Sequence, residues 1–229
     1  MTQARAKIKA APATPRVRVK RFRERGTYDR KTVYAILDAG VLCQIGFIFE
    51  GTPFVIPTLY WRSGRHLYFH GSNGSRMLKA MDNRDICFST THLDGLVLTR
   101  SAFHHSANYR SVMVLGRATR VEALEDRRIQ LRNFANRLFP DRWDTLRPMK
   151  QKELRATTIL RLPMKEFSAK VREGGPREDE EDLNWPAWAG VVPLWVQRGE
   201  ARPDAISTAA QLKAPVVAAF APSNPSGPP

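Results

Sequence analysis

Short apolar runs cut by turn residues constrain this chain more than any other feature of it. Val41–Phe49 is β-branched and aromatic, and Glu50-Gly51-Thr52-Pro53 turns it into a second such run, Phe54–Trp61. Ser63-Gly64-Arg65 has the composition of a hairpin connection into His66–Gly71. Further strands are predicted over Ile86–Thr91, Leu96–Arg100, Tyr109–Val121, Thr157–Leu162 and Glu166–Arg172. Helices fit the gaps. Thr27 can cap one over Tyr28–Leu37, with Val33, Ile36 and Leu37 on one face and Gly40 past its end. Asn73-Gly74-Ser75 opens a short one through Met81, and Ala123–Phe139 forms the longest, stopped by Pro140. Runs this short, joined by hairpins, predict a mainly antiparallel β-barrel with added helices rather than a doubly wound sheet. The absence of a Gly-x-Gly-x-x-Gly motif and of a P-loop argues against dinucleotide-fold and NTPase readings.

Charge is concentrated at one end. Of the formal net charge of +15, residues 1–25 carry nine basic side chains against one acid, Glu24. With Pro12, Pro15 and few large apolar residues, this segment is expected to be a solvated, disordered basic arm. Its alternative is a grip on nucleic-acid phosphates, which the lack of interleaved aromatic residues disfavours. From Gly199 the chain turns rich in Ala, Pro and Ser, and the last thirty residues hold six prolines, which forbids a long regular element. The expected organisation is therefore an arm over 1–25, a folded domain over 26–198 and a disordered tail over 199–229. Two cysteines, Cys43 and Cys87, are too few for a disulfide scaffold or a zinc site and sit in apolar runs, as buried reduced thiols do. No run is long enough to span a membrane and no secretory signal precedes the domain, so a cytoplasmic protein is expected. The acidic run Glu178–Asp182 follows Gly174-Gly175-Pro176 and is expected to be exposed loop rather than a metal site.

Three stretches carry more polar chemistry than a barrel needs. In His70-Gly71-Ser72-Asn73-Gly74-Ser75-Arg76 a strand ends and a helix begins, which offers backbone N–H groups, a hydroxyl and a guanidinium to a phosphate. Donors crowd Ser106–Ser111 ahead of an apolar strand, while the adjacent His104 and His105 point to opposite faces and make a poor metal pair. Trp185-Pro186-Ala187-Trp188, on a loop, either floors a planar ligand or plugs a barrel end.

Taken in order, Phe54-Val55-Ile56-Pro57-Thr58-Leu59-Tyr60, Tyr68-Phe69-His70-Gly71-Ser72-x-x-Ser75-Arg76, Asp94-Gly95-Leu96-Val97-Leu98-x-Arg100-Ser101 and His105-Ser106-x-Asn108-Tyr109-Arg110-Ser111 resemble one family. This is the pyridoxamine 5'-phosphate oxidase-like flavin-nucleotide-binding family, in the branch with the 5-nitroimidazole-resistance proteins. The likeness runs on through Phe167–Arg172 and Trp188-Ala189-Gly190-Val191-x-Pro193, covering about residues 26–195. It implies a six-stranded antiparallel split barrel binding FMN at a homodimer interface. It also implies that Val55, Pro57 and Thr58 line the flavin ring and that Ser72, Ser75 and Arg76 take its phosphate. Met77 stands where oxidases proper have Lys, leaving that contact to Lys79. His70 matches a histidine placed near the cofactor in nitroimidazole-resistance relatives. Asn108, Arg110, Ser111 and Trp188 would approach the flavin, with His70 and Arg110 as the catalytic pair. The arginine and histidine that hold pyridoxal in true oxidases have no match.

The resulting expectation is an FMN-dependent oxidoreductase acting on a small molecule, with donors near the flavin edge that gains charge on reduction. The alternative is a non-catalytic module binding flavin, deazaflavin or haem, which the histidines keep open. No metal site and no membrane partner are expected.

Overall fold

The computed structural model describes residues 10–214 and 216; the first nine residues of the basic arm, and residue 215 and residues 217–229 of the Pro-rich tail, lie outside the described residues. In chain order the elements are β1 (Gly26–Thr27), α1 (Arg30–Ala39), β2 (Leu42–Phe49), β3 (Thr52–Leu59), β4 (Trp61–Ser63), β5 (His66–Ser72), α2 (Arg76–Met81), β6 (Arg84–Leu98), β7 (Ser106–Arg120), α3 (Leu124–Leu138), α4 (Gln151–Ala156), β8 (Thr157–Pro163), β9 (Glu166–Arg172), β10 (Gly190–Pro193) and α5 (Ala205–Ala209).

All strand pairings are antiparallel. The order is β3-β2-β6-β7-β8-β5-β4, with β9 on β7, β1 on β9 and β10 on β6. β6 and β7 pair from Arg84–Ala118 to Val97–Ser106. Each changes its other partner along its length. β6 meets β2 at Cys87–Ser89 and β10 at Gly95–Leu98, while β7 meets β9 over Tyr109–Leu115 and β8 at Thr119 and Arg120. This exchange of partners splits the sheet, which does not close. The antiparallel split barrel expected from the resemblance is thus the fold. Its strands number ten among the described residues because short β1, β4 and β10 add to the longer ones.

Alternation builds the core. Cys43, Ile45 and Phe47 of β2 point inward, while Leu42, Gln44 and Ile48 point out. Val33, Ile36 and Leu37 of α1 close over a barrel interior that includes Phe69, Phe88, Leu160 and Leu162. A second, smaller cluster of Trp61, Tyr68, Val121, Leu131, Leu154 and Ile159 lies under α3. Burying each such side chain contributes about 1.5–3 kcal/mol.

Several local expectations shift. Asp29, not Thr27, caps α1, accepting from the Thr32 amide at 2.8 Å, and Thr27 Oγ1 accepts from Asp29 N one step earlier. The two strands expected over 86–100 are one. The polar residues between them form a bulge, because the register passes from Leu93–Tyr109 to Gly95–Asn108 and leaves Asp94 unpaired in the ladder. Gly95 suits the bulge, since a Cβ would crowd the Val192 carbonyl of β10 at 3.0 Å. β10 itself lies in a stretch expected to be loop.

The arm and the acidic run also differ from expectation. Val17 is 1% exposed, Thr14 and Arg16 hydrogen-bond to Glu166 of β9, and the Val19 amide donates to Tyr28 Oη at 2.7 Å. One apolar anchor and one carboxylate are enough to seat this part of a segment read as solvated. In the acidic run the Glu178 side chain is buried, paired with Arg100 at 2.6 Å. Cys43 is buried, and Cys87 is half-buried on the outward face; both are free thiols. Among the described residues no helix is long and apolar enough to cross a membrane.

Candidate functional site

The residues singled out by sequence fall into three places. The first is the turn from β5 into α2. Ser72 Oγ accepts from the Gly74 amide at 3.1 Å, and Ser75 caps α2 by accepting from Leu78 N at 3.3 Å. Both hydroxyls therefore shape the turn, while each keeps its proton to donate. Arg76 and Lys79 are exposed. The Arg76 guanidinium stands 5.4 Å from the centre of the Phe49 ring, and Phe49 meets Phe54 of β3 edge-on. The β5–α2 turn is thereby joined to the start of β3.

On β3, Val55 and Pro57 point outward with Leu59, and Val55 is 69% exposed. Thr58 points the other way, beside inward Cys43, whose thiol donates to the Thr58 carbonyl at 3.4 Å. Any contribution of Thr58 to an outer ligand is thus through its backbone. β3 ends the strand order, and an edge strand tolerates the missing amides of Pro53 and Pro57.

The third place is the start of β7. Arg110 faces inward opposite His92 and grips Asp94 with two bonds of 2.8 and 2.7 Å. This pairing, ahead of the cost of burial, raises the guanidinium pKa. Asn108 is engaged at both ends, accepting from Arg172 and donating to the Gly174 carbonyl. Ser111 faces outward with Lys170. Trp188 is exposed, and its indole lies over Gly190 so closely that a Cβ there would meet it at 2.6 Å. Within one chain, then, β3 and the β5–α2 turn come together, while Asn108, Arg110 and Ser111 lie across the sheet from them and Trp188 on β10's approach.

His70 is separate from Arg110. It stands on β5 among aromatic rings, edge-on to Trp61 at 5.7 Å and to Phe134 at 4.8 Å. Its Nδ1 is buried without a hydrogen-bond partner, and burial lowers its pKa. Burial thus disfavours the charged imidazolium, and the ring carries an unspent nitrogen. His104 and His105 diverge as expected. His104 Nε2 lies 3.1 Å from Asp179, and His105 Nδ1 lies 3.0 Å from the Ser101 carbonyl.

Two participants escaped the sequence reading. Asp94, which fixes Arg110, and His92, whose Nε2 lies 3.0 Å from the Ile36 carbonyl, become neighbours only through the β6–β7 register. The His92-x-Asp94 spacing was the available signal. Three of the four carbonyls ending α1 are then served: Ile36 by His92, Leu37 by Tyr60 and Asp38 by Arg137.

The sequence profile described as pyridoxamine 5'-phosphate oxidase matches residues 29–171. The flavocytochrome Anf3 from Azotobacter vinelandii is 44% identical, with 86% of this chain and 92% of that one aligned at a TM-score of 0.83. The FAD and heme binding protein from Mycobacterium smegmatis is 34% identical over 79% of this chain and 89% of its own, at 0.76. A putative 5-nitroimidazole antibiotic resistance protein from Bacteroides thetaiotaomicron, 20% identical over 64% of this chain and 86% of its own at 0.53, shares the fold. No curated protein matches. By profile, by fold and by these relatives, the chain belongs to the pyridoxamine 5'-phosphate oxidase family.

Proposed function

We propose that this chain is a flavin-binding redox protein that also carries haem. The observation that carries the reading is the 44% identity, over nearly the whole of both chains, to a protein named a flavocytochrome. The mycobacterial relative, named for FAD and haem, supports it.

The residues fit both groups. Haem iron takes an unprotonated imidazole nitrogen in an apolar setting, and His70 offers a ring packed against Trp61 and Phe134 with Nδ1 unpaired. A flavin phosphate would rest on Arg76, Lys79 and the Ser72 and Ser75 hydroxyls, with Val55 and Pro57 against the ring. When bound, flavin supplies one- and two-electron transfer, and haem supplies one-electron and dioxygen chemistry. This chain's own part is to orient and exclude water. Asp94 fixes the Arg110 guanidinium, which would donate toward the flavin edge that becomes negative, and the aromatic rings beside His70 keep water from it. A second copy packed on Leu42, Val55, Leu59, Leu93 and Leu96, all at least 40% exposed, would bring its flavin to the start of β7, where Asn108 and Arg110 line one face and Ser111 the other.

The absorption spectrum of the purified protein tests this reading. Flavin bands with a Soret band are expected, and His70→Ala should lose the Soret band while keeping the flavin. The nucleotide released on heating separates FMN, implied by the Ser75–Arg76 resemblance, from the FAD of the mycobacterial relative. A colourless protein that takes up neither group would overturn the proposal. Unchanged flavin affinity and reduction potential in Arg110→Ala would remove Arg110 from it, and sedimentation as a monomer would remove the second copy.

A further inference from the structure

The seated arm and the outward face of β6, β7 and β9 flank an open groove of about 280 Å³. Its floor is hydroxylic, with Ser89 and Ser168 flanking Met113 in one cross-strand row. Its roof is cationic, with Arg18, Lys20 and Arg21 on the arm, and Lys170 rises from β9. Among the described residues no carboxylate pairs with these four cations, and neither serine hydroxyl has a protein partner. Arg21 leans instead on the Phe22 ring at 4.9 Å. Arg16 also lines the groove but is spent on Glu166, which holds the arm in place. Positive potential continues along β9 to Arg172, whose guanidinium burial, Arg25 and Arg177 pull below the usual arginine range. Cations gathered over free hydroxyls with no counter-charge form an electrostatically incomplete arrangement, which an anion with several acceptor oxygens completes.

We propose that this groove binds a small phosphorylated ligand of about diphosphate size, its charge on the arm cations and Lys170 and its oxygens accepting from Ser89 and Ser168. The volume lies just below the range of clefts for drug-sized molecules, leaving room for a diphosphate and part of its ester group. Ser168 is only 7% exposed, so a ligand using it must enter beneath the arm, as a short ester can and a nucleic-acid duplex cannot. The site is distinct from the Ser75–Arg76 turn, but Ser111, which the flavin reading also uses, lines its wall with Oγ turned to the Lys170 carbonyl. Binding of ADP to flavin-free protein alone would therefore be binding at the flavin site and would overturn the proposal.

Calorimetric titration of the full chain with pyrophosphate and with ADP tests the site, the flavin content of the same sample being read from its spectrum. Saturable binding that weakens with salt is expected. Lys170→Gln and Arg18→Gln should each weaken it about tenfold or more, and Ser168→Ala about threefold or more. Arg117→Gln, an exposed cation elsewhere on β7, should leave it unchanged. Ser168→Ala keeps both arm anchors, Val17 and the Arg16–Glu166 pair, so it reports on the site even if a charge variant frees the arm. No heat with either ligand overturns the proposal. An equal loss in Arg117→Gln reduces the effect to net charge and overturns it too. Tighter binding of duplex DNA, weakened by Lys170→Gln but not by Ser168→Ala, would make the arm a nucleic-acid contact instead.

Discussion

Neighbouring residues of β5 face two different interiors. Leu67 and Phe69 enter the barrel, while Tyr68 and His70 enter the aromatic pocket under α3. In and around the barrel the polar atoms are spoken for: Tyr60 Oη donates to the Leu37 carbonyl, Thr90 Oγ1 to that of Leu42 and the Cys43 thiol to that of Thr58. The pocket under α3 leaves His70 Nδ1 with nothing. Among the described residues the other buried side-chain atom without a hydrogen bond is Arg120 Nε, and it at least faces the Asp82 carboxylate at 3.4 Å. One interior is closed and spent, whereas the other keeps a nitrogen in reserve at a cost of about 1–3 kcal/mol. That unspent nitrogen is the feature on which the haem proposal rests.

The largest test of this contrast is truncation. Phe88→Ala, in the barrel, should cost about 3–5 kcal/mol in urea unfolding, and Phe134→Ala, half-buried beside His70, roughly half as much. Equal costs would break the distinction. His70→Leu sharpens it further. Removing an unsatisfied nitrogen while keeping an apolar filling should leave the cofactor-free protein unchanged or more stable by about 1 kcal/mol. A loss of several would mean that the ring is engaged after all.

The pH dependence gives a smaller effect of defined sign. Burial lowers the His70 pKa, and burial first also lowers that of His92, opposed by the Ile36 carbonyl. The unfolded chain therefore binds protons that the folded chain refuses. Stability should be complete above about pH 6.5 and fall on acidification below it, by at most about 1.4 kcal/mol per pH unit for each histidine. His70→Leu should remove its share of that slope and leave the shares of His92 and of His66, whose pKa burial also lowers, as unfolding midpoints on either side of pH 6.5 will report. The smallest effect is kinetic. Burial pushes the Cys43 thiol up to about 12, so a thiol reagent should label Cys87 in the native protein and Cys43 only on unfolding. Native labelling of Cys43 would show that the barrel interior admits the reagent.

Much of this architecture was legible because alternation and turn chemistry are local. The β2–β3 hairpin, the helix ending at Pro140 and the strand Glu166–Arg172 each follow from a few adjacent residues. What escaped depends on partners far along the chain. Asp94 reads as loop until the β6–β7 register makes it a bulge that keeps Leu93 and Leu96 on the same outward face. Glu178 reads as solvated until Arg100, 78 positions away, pairs with it. The candidate site divides the same way. The turn at Ser75 and Arg76 could be named from sequence, whereas the Asp94–Arg110 pair and the isolation of His70 Nδ1 are products of pairing and packing.

The seating of the arm has a consequence for the order in which the molecule is made. Thr14 and Arg16 reach Glu166 across 152 and 150 positions. During synthesis that carboxylate leaves the ribosome on the order of ten seconds after the arm does. Through that interval the most basic stretch of the nascent chain has no seat, and loop closure over such a span is slow beside the local hairpins. The arm around Thr14 and Arg16, translated before the domain it covers, is among the last parts to settle, and the roof over β6, β7 and β9 is laid only after β9 has formed beneath it.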